Sequence, residues 1–462
     1  MTEQGERESG EFDVVVIGAG PAGEVCAGRL GEAGLEVAIV EGHLIGGECS
    51  YYGCMPSKAL LRPDEVLAEA RRIPGAREAV GSVDVAAVLA RRDEVIHDLD
   101  DSVQVPWLET RNVAVVRGRG KLAGERAVDV DGRRLTARMA VVVATGSEAA
   151  VPPIPGLAEA RPWTNREATT AGEVPERLVV LGGGVIGVEL GQAWSSLGSQ
   201  VAIVEALPRL LPREEPFAAE QVEEALAARG IEIRTGVRAI AVRRDEDGVT
   251  VELEDGAALS GDELLVAVGR RPATRELGLE PLGLEAGAPL TVDEQLRVPG
   301  HDWLYAVGDV NGRSLLTHMG KYQARIAADV ILGRAARLEE RAQGALSPRV
   351  IFTDPQVAAV GHTLESATAA GIEVRAVDQP TSGNAGGSFY GRNAPGTARL
   401  VIDEDRQVLV GATFTGAEVA EFVHAATIAI VGEVPLARLW HAVPSFPTRS
   451  EVWLRLLETY GL

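Results

Sequence analysis

A glycine-rich segment that occurs twice constrains the fold of this chain more than any other feature. The first copy reads FDVVVIGAGPAG and the second RLVVLGGGVIG, and each follows a strand-like apolar run and precedes a helix-like one. Both copies lead to the same five residues, VAIVE, at 37–41 and 201–205, at a constant offset of 164 residues (182 − 18 and 205 − 41). The glycines of the two patterns are Gly18, Gly20 and Gly23, and Gly182, Gly184 and Gly187. One G-x-G-x-x-G pattern is weak, but two that agree in order and context predict two dinucleotide-binding units.

The spacing of the glycines has a chemical reason. The first glycine permits a tight turn from strand to helix, the second lets a pyrophosphate approach the backbone, and the third lets the helix pack on the strand. The phosphates then lie at a helix N-terminus, which favours anions. Glu41 and Glu205 end the two VAIVE runs, where a carboxylate can accept a hydrogen bond from a ribose 2′-hydroxyl. Since a 2′-phosphate would meet a like charge, Glu205 favours NAD(H) over NADPH without excluding NADPH.

Length and charge limit the class of protein. A chain of 462 residues corresponds to roughly three domains. The formal net charge of −22 argues against nucleic acid or an anionic membrane surface as the main partner. The first eleven residues are polar and acidic, and no apolar run approaches the ~20 residues that span a bilayer. We therefore expect a cytoplasmic protein without membrane insertion.

Two of the three cysteines lie close together in GGECSYYGCMPSK, as Cys49 and Cys54. A zinc site is a poor interpretation because no second cysteine pair or histidine cluster accompanies them, and we expect no bound metal. A cysteine nucleophile would need a histidine partner that the sequence cannot place. A redox pair beside the first dinucleotide fits best, with a helix starting near Cys54 to lower a thiol pKa. Cys26, on the first predicted helix, is interpreted as a packing residue.

At this point the chain resembles the flavoprotein disulfide reductases, the family of dihydrolipoamide dehydrogenase, glutathione reductase and mercuric reductase. The resemblance covers almost the whole chain. Its motifs are GAGPAG, GGECSYYGCMPSK, VVVATGS at 141–147, GGGVIGVE at 182–189, VAVGRRP at 266–272, LYAVGDV at 304–310 and FTDPQVAAVG at 352–361.

The resemblance implies roles for individual residues. FAD would occupy the first glycine segment, with Glu41 at its ribose and Asp309 at its ribityl-phosphate region. NAD(H) would occupy the second glycine segment. Cys54 would face the flavin and Cys49 would be the outer, exchanging thiol. Lys58 would pair with Glu189 near the flavin. Three further residues from the shared motifs would belong to the cofactor sites, namely Thr145, Gly146 and Gly269. Electrons would pass from NAD(P)H through FAD to the disulfide.

One position departs from the family. Members that reduce thiols carry a C-terminal pattern resembling H-P-x-x-x-E, whose His serves as acid and base and whose Glu orients it. Here residues 446–451 read FPTRSE, so that Glu451 is retained but Phe446 replaces the His. A phenyl ring has no proton to exchange, and general acid–base assistance is typically worth ~10²–10⁴ in rate. His441 is the nearest histidine in sequence and would replace the base only if the local backbone differed.

The expected fold is α/β, with two nested Rossmann-like domains, for FAD and for NAD, and a C-terminal α+β dimerisation domain. By resemblance, Glu451 would complete the active site of the other subunit of a homodimer. The predicted segments are a disordered tail at 1–11, FAD-binding parts at 12–150 and 272–344, an NAD-binding domain at 151–271 and a dimerisation domain at 345–462.

Three functions stay open. The first is a disulfide oxidoreductase whose small-molecule or small-protein acceptor is not an ordinary dithiol but a quinone, a metal ion or an activated disulfide. The second is a dihydrolipoamide dehydrogenase with a displaced base. The third is a non-catalytic redox sensor that binds FAD and NAD.

Overall fold

The computed structural model describes residues 10–391 and 394–462, which separate into two compact units. The first unit combines residues up to 55 with 94–148 and 270–338, and the second combines 56–93, 149–269 and 339–462. Each unit therefore draws on segments that lie far apart in the sequence.

The strands alternate with helices in the parts of the chain that carry the glycine repeats. In chain order the strands are β1 Glu11–Ile17, β2 Val37–Glu41, β3 Val113–Arg117, β4 Gly120–Leu122, β5 Ala127–Val130, β6 Arg133–Val143, β7 Ser147–Ala149, β8 Arg177–Leu181, β9 Gln200–Glu205, β10 Glu232–Thr235, β11 Ala239–Asp245, β12 Gly248–Leu253, β13 Ala258–Gly261, β14 Glu263–Val266, β15 Arg270–Pro272, β16 Arg297–Val298, β17 His301–Ala306, β18 Arg349–Ile351, β19 Gln356–Gly361, β20 Val374–Pro380, β21 Thr397–Asp403 and β22 Val408–Gly416.

The α-helices are α1 Pro21–Glu32, α2 Gly47–Tyr51, α3 Cys54–Arg72, α4 Val85–Val95, α5 Val105–Glu109, α6 Asn165–Thr170, α7 Val185–Ser196, α8 Pro216–Ala228, α9 Thr317–Ile331, α10 Leu364–Ala369, α11 Val423–Val431, α12 Leu436–Leu439 and α13 Glu451–Tyr460. Short 3₁₀ helices occupy Arg77–Ala79, His97–Leu99, Glu280–Leu282, Asp309–Asn311, Gly344–Leu346, Gly387–Tyr390 and Val419–Glu421.

The first unit is built on a largely parallel sheet in the order β16-β17-β6-β1-β2-β3. Strand β1 lies between β2 and β6, and all three run parallel. Its side chains Val14, Val15 and Val16 are fully buried, as expected for a parallel strand that is covered on both faces. Helices α1 and α9 pack beside this sheet. The carboxyl ends of β1 and β2, which carry the first glycine pattern and Glu41, consequently lie side by side.

The second unit contains the second copy of the repeat in a parallel sheet of order β10-β9-β8-β14. Strand β8 pairs with β9 from Arg177 to Leu181, so the second glycine pattern follows a strand end in the same way as the first. The sequence AVRRDEDGVTVELEDG forms the antiparallel pair β11–β12, in which Asp245 is opposite Gly248. This segment is therefore a β-hairpin.

A five-stranded antiparallel sheet, β18-β19-β22-β21-β20, forms the C-terminal part of the second unit. Its core is centred on Phe414 and includes residues from α11 and α13, which pack against the sheet. The predicted mixed α/β class, with two Rossmann-like sheets and a C-terminal α+β segment, is confirmed.

Residues 1–9 of the predicted tail lie outside the described residues, and Glu11 already belongs to β1. Across 10–391 and 394–462, no helix combines the length and the apolar character that a membrane span requires.

Arg92 in α4 provides a test of how the second unit is held together. Its side chain is only 1% exposed. Its guanidinium donates hydrogen bonds to the carbonyl oxygens of Thr169 at 2.8 Å and Ala171 at 3.0 Å, and to the Asp93 carboxylate at 2.7 Å. We expect Arg92→Leu to destabilise the protein by about 3 kcal/mol, because it leaves buried acceptors unpaired.

The measurement is chemical denaturation followed by tryptophan fluorescence, with Arg91→Leu as the control. Arg91 is the exposed neighbour, so its replacement is expected to change stability by less than about 0.5 kcal/mol. Equal effects of the two substitutions would contradict the role given to Arg92.

Candidate functional site

The first glycine pattern forms a turn that only glycine can make. Gly18 has φ of 101°, and a Cβ there would lie 2.5 Å from the carbonyl oxygen of Ala144. A Cβ on Gly23 would overlap the carbonyl oxygen of Gly18, whereas a Cβ on Gly20 would meet no atom within 4 Å. Gly18 and Gly23 are therefore needed for the backbone to adopt this turn, whereas Gly20 leaves space in front of the α1 N-terminus.

The second glycine pattern repeats this geometry. Gly182 has φ of 110°, a Cβ on Gly187 would overlap the carbonyl oxygen of Gly182, and a Cβ on Gly184 would meet nothing within 4 Å. The same division of roles at both sites leaves open space at the middle glycine, where a pyrophosphate approaches the backbone in dinucleotide-binding folds.

The acidic residue of each repeat is hydrogen-bonded to its own glycine loop. Glu41 accepts bonds from the backbone N–H of Ala19 at 2.7 Å and of His43 at 2.8 Å. Glu205 accepts bonds from Gly183 N–H at 2.7 Å and Leu207 N–H at 2.8 Å. Each carboxylate is thus fixed beside its loop and keeps lone pairs for a further donor such as a ribose hydroxyl.

A cavity of about 510 Å³ extends from the first glycine loop. Glu41 and Thr145 line it, and the Thr145 hydroxyl donates to the carbonyl oxygen of Ala273 at 2.9 Å. Gly146, the next residue, has φ of 72°. Open space at Gly20, an acidic residue at the strand end and a cavity of this size fit an adenine dinucleotide.

Asp309 lies at the start of a 3₁₀ helix and belongs to a network of polar contacts within the first unit. It accepts a hydrogen bond from the Ser147 hydroxyl at 2.6 Å, and the Arg270 guanidinium donates to the same hydroxyl at 2.7 Å. Arg270 also contacts the Glu48 carboxylate at 3.3 Å. Burial raises the pKa of Asp309. The contacts connect Asp309 to the residue that immediately precedes Cys49.

The cysteine pair lies at the junction of α2 and α3. Cys49 is in α2, and α3 begins at Cys54, as the sequence predicted. No disulfide joins the two cysteines in the structure, and the Cys54 sulfur lies 3.3 Å from the Thr317 hydroxyl. The pKa of Cys49 is raised, first because its thiol hydrogen-bonds to Cys54 and second because of burial, while Thr317 and Lys321 act in the opposite direction. The predicted lowering of a thiol pKa therefore does not apply to Cys49 while Cys54 faces it.

Lys58 and Glu189 form an ion pair inside the second unit. The Lys58 Nζ lies 2.7 Å from Glu189 Oε2, and the Glu189 side chain is only 4% exposed. The other carboxylate oxygen accepts the backbone N–H of Phe352 at 2.9 Å, and the Lys58 ammonium lies over the Phe352 ring. Glu189 thereby holds the cation in a fixed position.

The C-terminal segment presents Phe446 to solvent, with 77% of the residue exposed. Glu451 begins α13 and is buried, and its Oε2 has no hydrogen-bond partner among the described residues. His441 is exposed in the turn that follows α12. The imidazole that would normally meet the glutamate is absent at position 446, and the structure does not bring His441 to Glu451.

Sequence reasoning missed several residues of this region. Thr317 contacts the Cys54 sulfur and Lys321 lies one turn further along the same helix, but neither belongs to a pattern that marks a site. Arg270 stands in the VAVGRRP motif and could have been found there. Within 10–391 and 394–462, no three His, Cys, Asp or Glu side chains are grouped to hold a metal ion.

Comparison with known proteins gives consistent matches over almost the whole chain. Residues 12–327 match the family described as pyridine nucleotide-disulphide oxidoreductase, and residues 347–456 match the dimerisation domain of that family. Dihydrolipoyl dehydrogenase 3 of Pseudomonas aeruginosa is 35% identical over 95% of this chain and 96% of its own. Mercuric reductase of Staphylococcus aureus is 29% identical over 96% of this chain and 81% of its own.

Two solved structures are similar along their full length. The HOCl-induced flavoprotein disulfide reductase RclA from Escherichia coli has a TM-score of 0.84 at 27% identity, covering 97% of this chain and 99% of its own. LpdA from Mycobacterium tuberculosis has a TM-score of 0.86 at 26% identity, covering 97% and 100%.

The different surroundings of Gly20 and Gly23 predict different consequences of the same substitution. Gly20→Ala should fold normally but bind its dinucleotide at least about tenfold more weakly, or ~1.4 kcal/mol, because the methyl group occupies the open space. Gly23→Ala should fail to fold stably, because its methyl group overlaps the Gly18 carbonyl. Flavin content and thermal melting of the purified variants measure the two effects.

The second loop supplies the matched control. Gly184→Ala should keep the flavin content of the wild type and weaken nicotinamide nucleotide binding instead. Loss of flavin in Gly184→Ala, or normal flavin in Gly20→Ala, would contradict the assignment of the two loops.

Proposed function

Because this chain belongs to the pyridine nucleotide-disulphide oxidoreductase family, we propose that it passes electrons from NAD(P)H through FAD and the Cys49–Cys54 pair to an acceptor other than an ordinary dithiol. The family is one of FAD- and NAD(H)-dependent enzymes, so the non-catalytic sensor is not retained. The C-terminal match to the dimerisation domain supports a homodimer. The observation that carries the proposal on the acceptor is the exposed phenyl ring of Phe446 at the position of the family's histidine.

FAD is assigned to the first glycine loop and NAD(H) to the second. FAD supplies the two-electron exchange between the nicotinamide and the disulfide. The chain contributes the α1 N-terminus at Gly20 for the pyrophosphate, Glu41 for the ribose, and Asp309 as a half-buried hydrogen-bonding group. Thr145 lines this cavity and Gly146 is the next residue. Gly269 follows strand β14 of the sheet that carries the second glycine loop.

Cys54 is assigned as the inner thiol and Cys49 as the outer one. Thr317 supports this order, because its hydroxyl is within hydrogen-bonding distance of Cys54 and fixes that sulfur against the start of α9. Lys58, held by Glu189, is assigned the positive charge that stabilises reduced flavin. Reduction of the disulfide consumes two electrons and leaves one thiol and one thiolate when a single proton is taken up.

An acceptor that is itself a disulfide needs a proton for each sulfur that leaves. Phe446 cannot supply one, and Glu451, proposed to act in the partner's site, has no imidazole to orient. A quinone, a metal ion or an activated disulfide places less demand on the protein for a proton. The chemistry of the site therefore favours these acceptors, and a quinone is the first to test.

Dihydrolipoamide dehydrogenase is the second candidate. The 35% identity to a dihydrolipoyl dehydrogenase over most of both chains favours it. It would require another base, and His441 would have to move from its exposed turn to serve as one.

The acceptor is tested by anaerobic NADH oxidation with lipoamide and a naphthoquinone offered in parallel. We expect kcat/KM for lipoamide to be at least about 10²-fold below that for the quinone, which is the lower range of acid–base assistance. Phe446→His should raise lipoamide turnover about tenfold or more and leave quinone turnover nearly unchanged, since only the thiol reaction needs the added proton donor.

Cys49→Ala is the control for the electron route, because it retains Cys54 beside the flavin. Loss of quinone reduction in this variant places the disulfide on the route. Retained activity would mean that electrons leave directly from the flavin, and fast lipoamide turnover by the wild type would contradict the proposal.

The repeated carboxylates provide a test of nucleotide choice. Glu205→Gln removes the charge that opposes a 2′-phosphate, so the ratio of kcat/KM for NADPH to that for NADH should rise about tenfold, or ~1.4 kcal/mol. Glu41→Gln makes the same change in the first loop and should lower FAD retention without altering this ratio. Steady-state kinetics with both nucleotides decides, and an unchanged ratio in Glu205→Gln would be contrary to the assignment.

A further inference from the structure

Two aspartates and two arginines form a network of ion pairs in the second unit. Asp354, in the segment between β18 and β19, accepts hydrogen bonds from Arg72 and Arg229, each at 3.0 Å. Arg229 also donates to the Asp64 carboxylate at 2.5 Å, and Arg71 lies 4.0 Å from that carboxylate. Both aspartates are buried, so water screens these contacts less than it screens surface ion pairs. The aspartate–arginine network consists of Asp64, Arg72, Arg229 and Asp354, and it joins α3 to the end of α8 and to the segment around Asp354.

The segment around Asp354 is also attached to helix α7 by two hydrogen bonds. The N–H of Asp354 donates to the Gln192 side chain at 2.9 Å, and the N–H of Phe352 donates to Glu189 at 2.9 Å. Glu189 holds the Lys58 ammonium with its other carboxylate oxygen, and that ammonium lies over the Phe352 ring. The aspartate that binds both arginines is therefore two residues from the ring and the N–H group that surround the Lys58 ion pair.

Helix α3 is weakened between Lys58 and the network. Pro63 lies inside this helix, between Lys58 and Asp64, and a proline has no N–H to donate to the preceding turn. The angle between the two parts of the helix consequently depends on contacts outside it. Glu189 provides such a contact before the proline and Arg229 provides one after it.

We propose that the aspartate–arginine network positions Lys58. The assignment deepens the proposed function and rests on it, because Lys58 is the cation assigned to reduced flavin. The four residues act through the lysine and are positioning residues that need not touch a cofactor or an acceptor. Loss of the Asp354 charge would leave two arginines with a single aspartate, so the segment beside Lys58 would be held less firmly.

The position of Lys58 is measured by acetylation of the holoenzyme with acetic anhydride, followed by mass spectrometry. The chain has three lysines, and the exposed Lys121 is an internal reference for the reaction rate. We expect Asp354→Asn to raise the acetylation rate of Lys58 relative to Lys121 about threefold or more, because the ammonium is held less tightly in its ion pair.

Glu215→Gln is the matched control. Glu215 is a buried carboxylate immediately before α8 that pairs with Arg399 at 3.0 Å and accepts the N–H of Leu364 at 2.8 Å. Its replacement removes the same charge from the same unit, at the opposite end of α8 from Arg229. The acetylation rate of Lys58 should stay within about twofold of the wild type, even where thermal melting shows a comparable loss of stability.

Reduction of the bound flavin tests the consequence of this positioning. For this measurement each variant also carries Cys49→Ala, so that the flavin titrates without the cysteine disulfide. Anaerobic titration against a redox dye of known potential gives the equilibrium constant for flavin reduction. Lys58→Met should lower this constant, and Asp354→Asn should lower it about threefold or more. When Lys58→Met is already present, Asp354→Asn should change the constant by less than about twofold, because it acts through the lysine.

Arg229→Gln gives an independent reading if Asp354→Asn does not retain flavin, because it opens the same network at another residue. Unchanged Lys58 acetylation in both variants, or an equal increase in Glu215→Gln, would overturn the proposal. Effects of Asp354→Asn and Lys58→Met on the flavin that simply multiply would also overturn it.

Acetylation requires neither an acceptor nor electron transfer, so it separates this inference from the proposed function. If Lys58→Met leaves the flavin equilibrium unchanged while Asp354→Asn accelerates acetylation, the role given to Lys58 at the flavin fails and its positioning by the network stands. A lowered constant in Lys58→Met with unchanged acetylation in Asp354→Asn and Arg229→Gln retains the role of the lysine and rejects that of the network.

Discussion

The rest of the site depends on one constraint, which is the close contact between the third glycine of each G-x-G-x-x-G pattern and the turn before it. Gly23 lies against the carbonyl oxygen of Gly18, which sets the direction of α1 and turns its N-terminal N–H groups towards open space at Gly20. The same approach extends to the cysteines. A Cβ on Gly47, the first residue of α2, would lie 2.8 Å from the Gly20 Cα, so α2 packs directly on the glycine loop. Cys49 follows within one helical turn, and its distance from the dinucleotide loop is consequently fixed by backbone contacts rather than by flexible side chains.

Polar contacts then connect the ends of the strands to the cysteine helix. Glu48 contacts Arg270, Arg270 donates to Ser147, and Ser147 donates to Asp309. Burial raises the pKa of Asp309, which means that its environment favours the protonated form more than water does. A series of polar contacts from a strand end to the residue before Cys49 also restricts how far α2 can move.

Much of this arrangement could be predicted from the sequence, for reasons that differ between residues. The two glycine loops and their glutamates were predictable because turn geometry and helix packing demand particular residues at fixed spacing, and the start of a helix at Cys54 was predictable from local pattern. The pairing of Lys58 with Glu189 spans 131 residues, so only the family resemblance could suggest it. Thr317 could not be predicted, because its contact with the Cys54 sulfur joins residues 263 positions apart, which no local pattern encodes. The predicted effect on a thiol pKa was incomplete for a related reason: a helix N-terminus acts on one sulfur, whereas Cys49 responds first to the second sulfur that faces it.

The residue at position 446 bears on the acceptor that we propose for the cysteine pair. A histidine at position 446 would act as both a charge and a proton donor, and the two functions would be inseparable. In this chain the phenyl ring of Phe446 supplies neither. Charge alone favours formation of the attacking thiolate, but it does not protonate a departing sulfur. The exposed Phe446 at the C-terminal segment therefore supports the proposal of an acceptor that takes electrons from a thiolate and obtains its protons from water.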